Sequence, residues 1–244
     1  MRQNNNIFNF LSLFLIGSYI FYLFLNQKLV YFIHPKYIYL AFGTGAFMIL
    51  TGFIGFITNI TLQKKIIFKI PEIVILILAF SLIFVQIKPL SSSSIAARIG
   101  NNNLIVDENE KKELIKKLDS GNLYNFSMYD WMSAKSLGGL DIFQNKKFSG
   151  TGFVSYSNGK NALNIENNKN SFYLSRFVIS CCIVDATPYY FIVKTSEKFT
   201  ENSWVNVTGT FNLIDINGKL EPVIVPDKID TTQEPKNVYL NKDN

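Results

Sequence analysis

Three apolar stretches, Ile7–Leu25, Tyr37–Ile60 and Ile70–Ile87, occupy most of the first 90 residues of this 244-residue chain, and nothing comparable follows. A bilayer core about 30 Å thick takes roughly 20 helical residues to cross. Each stretch is near that length and almost free of charge, so each reads as a spanning helix. The expected architecture is a membrane-anchored α+β protein: a transmembrane domain over residues 1–98, a linker with short helices over 99–145, and a small β-barrel over 146–240.

Charge divides the chain at the same place. Residues 1–98 carry eight Lys and Arg against one acid, Glu72, a net +7, whereas residues 99–244 carry 16 bases and 17 acids, a net −1. The basic surplus therefore belongs at helix ends, among anionic headgroups of the lipid bilayer. The soluble half has no positive surface with which to track phosphates, so no nucleic-acid partner is expected.

Only Arg2 precedes the first stretch, and Asn26-Gln27-Lys28 follows it without a small-residue cleavage pattern, so a retained helix is expected rather than a cleaved signal peptide. In the second stretch Gly45, Gly52 and Gly55 share one face. That spacing suits close approach by another helix, although glycine is also simply common in membrane helices. The third stretch opens with Pro71-Glu72, where a carboxylate suits the positive end of the helix dipole. Three crossings put the termini on opposite sides. The density of Lys64, Lys65 and Lys69 in one short loop then favours an inner amino terminus and an extracytoplasmic tail.

Short helices are expected at Glu108–Leu118, with Leu114, Ile115 and Leu118 on one face, and at Met128–Leu137, entered from Ser127 as cap. Five β-rich runs follow: Phe148–Ser155, Phe172–Val184, Tyr189–Lys194, Trp204–Phe211 and Glu221–Lys228. Asn217-Gly218 marks a tight hairpin, and the glycines inside two of the strands mark bulges or sharp coils where a barrel closes. Five strands in about 95 residues suit a barrel of the OB type.

The conspicuous chemistry lies in Arg176–Pro188, which contains Cys181, Cys182 and Asp185. Neighbours in a regular strand point to opposite faces, so the two thiols could not share one metal unless a bulge intervened. Both are expected to be free and largely buried, with Arg176 and Asp185 close by. A packed pair of small apolar residues competes with a binding role, and Asp185 suits a turn before Thr187-Pro188. A self-contained zinc site of four Cys or His is not available from two cysteines and His34, so Cys181, Cys182 and Asp185 are the only metal candidates. With the single histidine between two apolar helices and no phosphate loop or nucleophilic triad, no catalytic residue is assigned and no enzyme is expected. No cofactor is indicated.

The runs SFYLSRFVISCCIVDATPYYFIV, WVNVTGTF, EPVIVPDKI and EPKNVYL, together with the amino-terminal helix arrangement, resemble the YcgQ family of bacterial membrane proteins described as permease subunits. The resemblance implies a larger multi-spanning partner of the YcgR type. It also lifts Arg176, Cys181, Cys182 and Asp185 to candidate ligand- or partner-binding positions. Some family members carry a His-rich insert suggesting metal handling, whereas Thr61–Lys69 here has no histidine. The expected function is therefore an accessory permease subunit with a link to metal or small-solute transport. The alternative is a membrane-tethered binding protein, a sensor acting without a permease.

Overall fold

A computed structural model describes residues 7–61, 70–96, 108–119, 126–137, 140–156, 171–216 and 218–240. The chain divides into two compact units, residues 1–88 and 89–244.

In the first unit, α1 (Ile7–Leu25) and α2 (Ile38–Thr61) are 19 and 24 residues long. Both are long and apolar enough to cross a membrane, and only 17% of either helix's apolar window is buried, unlike the core helix of a soluble protein. Phe47, Leu50, Phe53, Ile54 and Ile57 of α2 all face outward. The polar side chains inside these helices bond back to their own backbone: Ser12 to Phe8 O at 2.8 Å, Ser18 to Phe14 O at 2.7 Å, Thr51 to Phe47 O at 2.9 Å and Asn59 to Gly55 O at 2.7 Å. A hydrocarbon solvent demands this internal satisfaction, because it offers no partner of its own.

The glycine face of α2 is occupied by α1. A Cβ added at Gly17 would lie 2.7 Å from the Gly45 carbonyl oxygen, one at Gly52 would lie 2.8 Å from Phe10 O, and the Phe10 ring covers Gly55. The close-approach surface anticipated from glycine spacing is therefore used within the chain.

The third expected span, residues 70–87, needs correction. The helix α3 (Ile70–Ser81) has 12 residues, roughly 18 Å by its rise per residue, and only a 3₁₀ turn at Leu82–Phe84 extends it. Val85 is already extended, with ψ 120°. Pro89 has no N–H to offer the Val85 carbonyl and disfavours helix at Lys88, so the apolar run outlasts the helix. Among the described residues two helices, not three, have the length to span unaided.

In the second unit, α4 (Ser92–Ala96) precedes α5 (Glu108–Asp119) and α6 (Met128–Ser136). Ser127 and Asp130 close a reciprocal capping box at the start of α6. The strands are β1 (Lys147–Ser155), β2 (Phe172–Val178), β3 (Thr187–Val193), β4 (Trp204–Ile216), β5 (Lys219–Thr232) and the two-residue β6 (Tyr239–Leu240). Strand β1 pairs with both β2 and β4, β4 with β5, β5 in parallel with β3, and β3 with β2, which closes a five-stranded barrel. Strand β6 adds in parallel to the end of β2.

Glycines allow the closure at two points. Gly152 sits where β1 passes from β4 to β2, with a virtual Cβ 2.9 Å from Ser175 O. Gly209 sits at the bulge of β4, against the Val225–Pro226 backbone. Alternate residues fill the interior, and Phe211 lies at its centre, 5.0–5.1 Å from the rings of Trp131, Phe143, Phe148 and Phe191. Trp131 and Phe143 come from α6 and the turn after it, so the preceding helices complete the barrel core.

Gly52→Leu should force α1 and α2 apart, with an overpacking cost of about 1–3 kcal/mol. Gly43→Leu, whose Cβ would meet nothing within 4 Å, should be neutral. Thermal unfolding in detergent distinguishes them: a lowered midpoint for the first alone is expected, and equal midpoints would contradict the α1–α2 packing.

Candidate functional site

Strand β2 does not continue to Val184, as its β-rich composition suggests, but ends at Val178. Ile179 remains buried, then the chain turns outward. The cause is Asp185, whose carboxylate accepts from the backbone N–H of Ser180 at 3.0 Å and of Cys181 at 2.7 Å. Asp185 N returns a bond to Cys182 O at 3.1 Å, and a 3₁₀ turn spans Ile183–Asp185. The carboxylate thus satisfies amides that a strand partner would otherwise take.

This turn changes what the cysteines can do. Out of the strand, they no longer alternate between faces, and their sulfurs lie 3.4 Å apart. The Sγ atoms of Cys181 and Cys182 and a carboxylate oxygen of Asp185 all fall within 4.8 Å of one another, a group able to hold a metal ion. Both thiols are free. Cys181 is exposed and Cys182 partly so, which corrects the expectation of largely buried thiols.

The Cys181 thiol proton has two acceptors in reach. The Asp185 carboxylate is the stronger influence and Cys182 the next, and together they push the Cys181 thiol up to about 12. Burial opposes the Asp185 charge, but hydrogen bonds from the Cys181 thiol and N–H and the Ser180 N–H prevail and hold the carboxyl below its usual value. The loop therefore holds a charged carboxylate beside a protonated Cys181 thiol.

Arg176 serves a different purpose. It is buried, and it donates from Nε to Val238 O at 3.1 Å, from one terminal nitrogen to Thr151 O at 3.0 Å and from the other to Asn237 O at 2.6 Å. Its guanidinium lies 5.2 Å from the Trp204 ring centroid. Burial lowers its pKa to about 10, which leaves it charged at neutral pH. The guanidinium fork is a clamp on the segment that becomes β6, while Cys181, Cys182 and Asp185 form the exposed cluster.

A second polar feature had no local signal in the sequence. Lys135 of α6 meets Glu221 of β5 at 2.9 Å, and Lys219 meets the same carboxylate at 2.6 Å. These residues line a cleft of about 300 Å³ with Met132, Pro188 and Tyr190. Burial raises Glu221 and lowers Lys135; the lysines overcome burial at Glu221 and keep its pKa low, whereas burial prevails at Lys135. Both lysines are thus engaged by the one Glu221 carboxylate.

Alkylation with iodoacetamide at pH 8 tests the Cys181 environment. A thiol held near 12 reacts slowly despite exposure, since the thiolate is the nucleophile. Asp185→Asn removes the suppressing charge and should raise the Cys181 rate about tenfold or more, one pKa unit being a tenfold change in thiolate. An unchanged rate would show that the carboxylate does not govern the thiol.

A relative from Streptococcus mutans is 27% identical over 139 residues, 54% of this chain and 48% of the relative, and is named "Putative two-component membrane permease complex subunit". The chain thus spans about half the length of that curated relative. No solved structure matches it. Residues 106–242, more than half of the chain and including the barrel and the Cys181–Asp185 loop, match the model of the DUF1980 C-terminal domain, and the chain belongs to that family.

Proposed function

We propose that this chain is the accessory subunit of a two-part membrane permease. In this reading the apolar helices dock against a larger multi-spanning partner of the YcgR type, and an OB-type barrel carries the Cys181–Asp185 loop. The observation that carries the proposal is the relative's description as a subunit of a two-component membrane permease complex. The helices themselves add support. A transporter places ionisable groups where its helices enclose the substrate, whereas the described faces of α1 and α2 are apolar, with hydroxyls and amides turned to their own backbone. The strand order of the barrel, with β1 between β2 and β4 and with β3 parallel to β5, supports the OB-type reading. The exposed thiol and carboxylate cluster supports a link to metal or small-solute transport rather than catalysis.

Affinity purification of the tagged chain from gently solubilised membranes tests the subunit reading. Recovery of a stoichiometric multi-spanning companion is expected. Recovery of the chain alone, under conditions that keep other membrane complexes intact, would defeat the proposal and favour a tethered sensor.

We place the barrel outside the cytoplasm. This requires residues 70–87 to traverse the bilayer although only Ile70–Phe84 are described as helical, with the extended end lying against protein rather than lipid. The outward apolar side chains of Val74, Ile77, Leu78 and Phe84 support such a path. Reporter fusions after Lys28 and Asn101 should then report the same side. Opposite sides would put the barrel with the amino terminus.

A further inference from the structure

We propose that the loop Cys181–Asp185 is a binding site for one soft divalent cation of the zinc class, held by the two vicinal sulfurs and the Asp185 carboxylate, with the fourth position open. The geometry is close to what such an ion needs. Zinc–sulfur bonds of about 2.3 Å in a tetrahedron put two sulfurs about 3.8 Å apart. Here Cys181 Sγ and Cys182 Sγ stand 3.4 Å apart, so a few tenths of an ångström of rotamer adjustment suffices. All three donor groups already fall within 4.8 Å of one another.

The loop is also built before any ion arrives. One Asp185 oxygen accepts the Ser180 N–H and the other the Cys181 N–H, and the lone pair that takes the Cys181 thiol hydrogen bond is freed for a metal when that proton leaves. The backbone bond from Asp185 N to Cys182 O fixes the second cysteine relative to the carboxylate. Positioning by backbone amides spares the cation the entropy of gathering its ligands.

The donor set discriminates among ions. Two thiolates exclude magnesium and calcium, which take oxygen ligands. The carboxylate adds a hard, charged donor that a copper(I) site of soft sulfurs does not use. A vicinal disulfide is the main competing use of adjacent cysteines. It needs sulfurs about 2.05 Å apart, well inside the 3.4 Å separation here. Loading exchanges the two thiol protons for one dication and moves no electrons.

Structural zinc sites are closed by four protein ligands, whereas three ligands leave the fourth position open to water or another ligand. Exposure of Cys181 and Asp185 agrees with an ion that enters and leaves. That the cation is the permease's own cargo rests on the subunit reading; the site rests on the loop.

The test uses the full chain in detergent, purified reduced and free of chelator, titrated with Zn²⁺ against a chromophoric chelator and with Co²⁺ by absorption. Uptake of one equivalent is expected, with thiolate-to-cobalt charge-transfer bands. Cys181→Ser and Cys182→Ser should each weaken uptake by more than about 100-fold, beyond what loss of a ligand's supporting partner costs. Asp185→Asn should weaken it less, and metal-free thermal unfolding of both serine variants should match the wild type. No stoichiometric uptake, uptake unchanged in the double serine variant, or a two-hydrogen mass deficit in the unreduced Cys181–Cys182 peptide would each overturn the site. The same preparation is scored for the multi-spanning companion. Zinc without companion removes the cargo role and keeps the site; companion without zinc removes the site and keeps the subunit.

Discussion

The barrel depends on Phe211. Its ring meets Trp131, Phe143, Phe148 and Phe191 at 5.0–5.1 Å, and so joins three strands to the helix and turn that precede them. Aromatic pairs at such distances contribute about 0.5–1.5 kcal/mol each beyond the area they bury. The cluster explains why a barrel of five strands begins with helices: without Trp131 and Phe143 its interior would open to water. With the core closed there, β2 is held along its length, and its far end can leave the sheet as an ordered turn.

Two residues near that end divide the work. Arg176 faces inward and spends its donors on carbonyls of Thr151, Asn237 and Val238, which fastens the carboxy-terminal segment to the barrel. Asp185 faces outward and spends its acceptors on the amides of Ser180 and Cys181. One charge stabilises the frame, and the other shapes a loop whose sulfurs remain available. A buried guanidinium bonded to carbonyls is costly to disturb, so Arg176 belongs to stability.

Much of this was legible in the residues, and the failures have identifiable causes. The Ser127 cap, the first two apolar helices and the glycines at the barrel's sharp coils are local signals, and each corresponds to a feature of the fold. The end of β2 is not local. Val, Ile and Cys continue a strand pattern to Val184, and only a carboxylate folding back onto two amides stops it. That difference turned two thiols expected on opposite faces into neighbours on one rim. Arg176 was singled out by its place in a motif, but its partners lie 25 to 62 residues away, where no spacing could reveal them. The Lys135–Glu221 pair was missed for the same reason. The third apolar run misled because hydropathy measures composition and not where a helix stops.

The rim formed by Cys181, Cys182 and Asp185 is proposed as a ligand set rather than a decorated turn. X-ray absorption at the zinc edge, on the zinc-loaded full chain, examines that claim directly. Two sulfurs at about 2.3 Å with lighter oxygen or nitrogen atoms completing the shell are predicted. A shell of oxygen and nitrogen alone would contradict it.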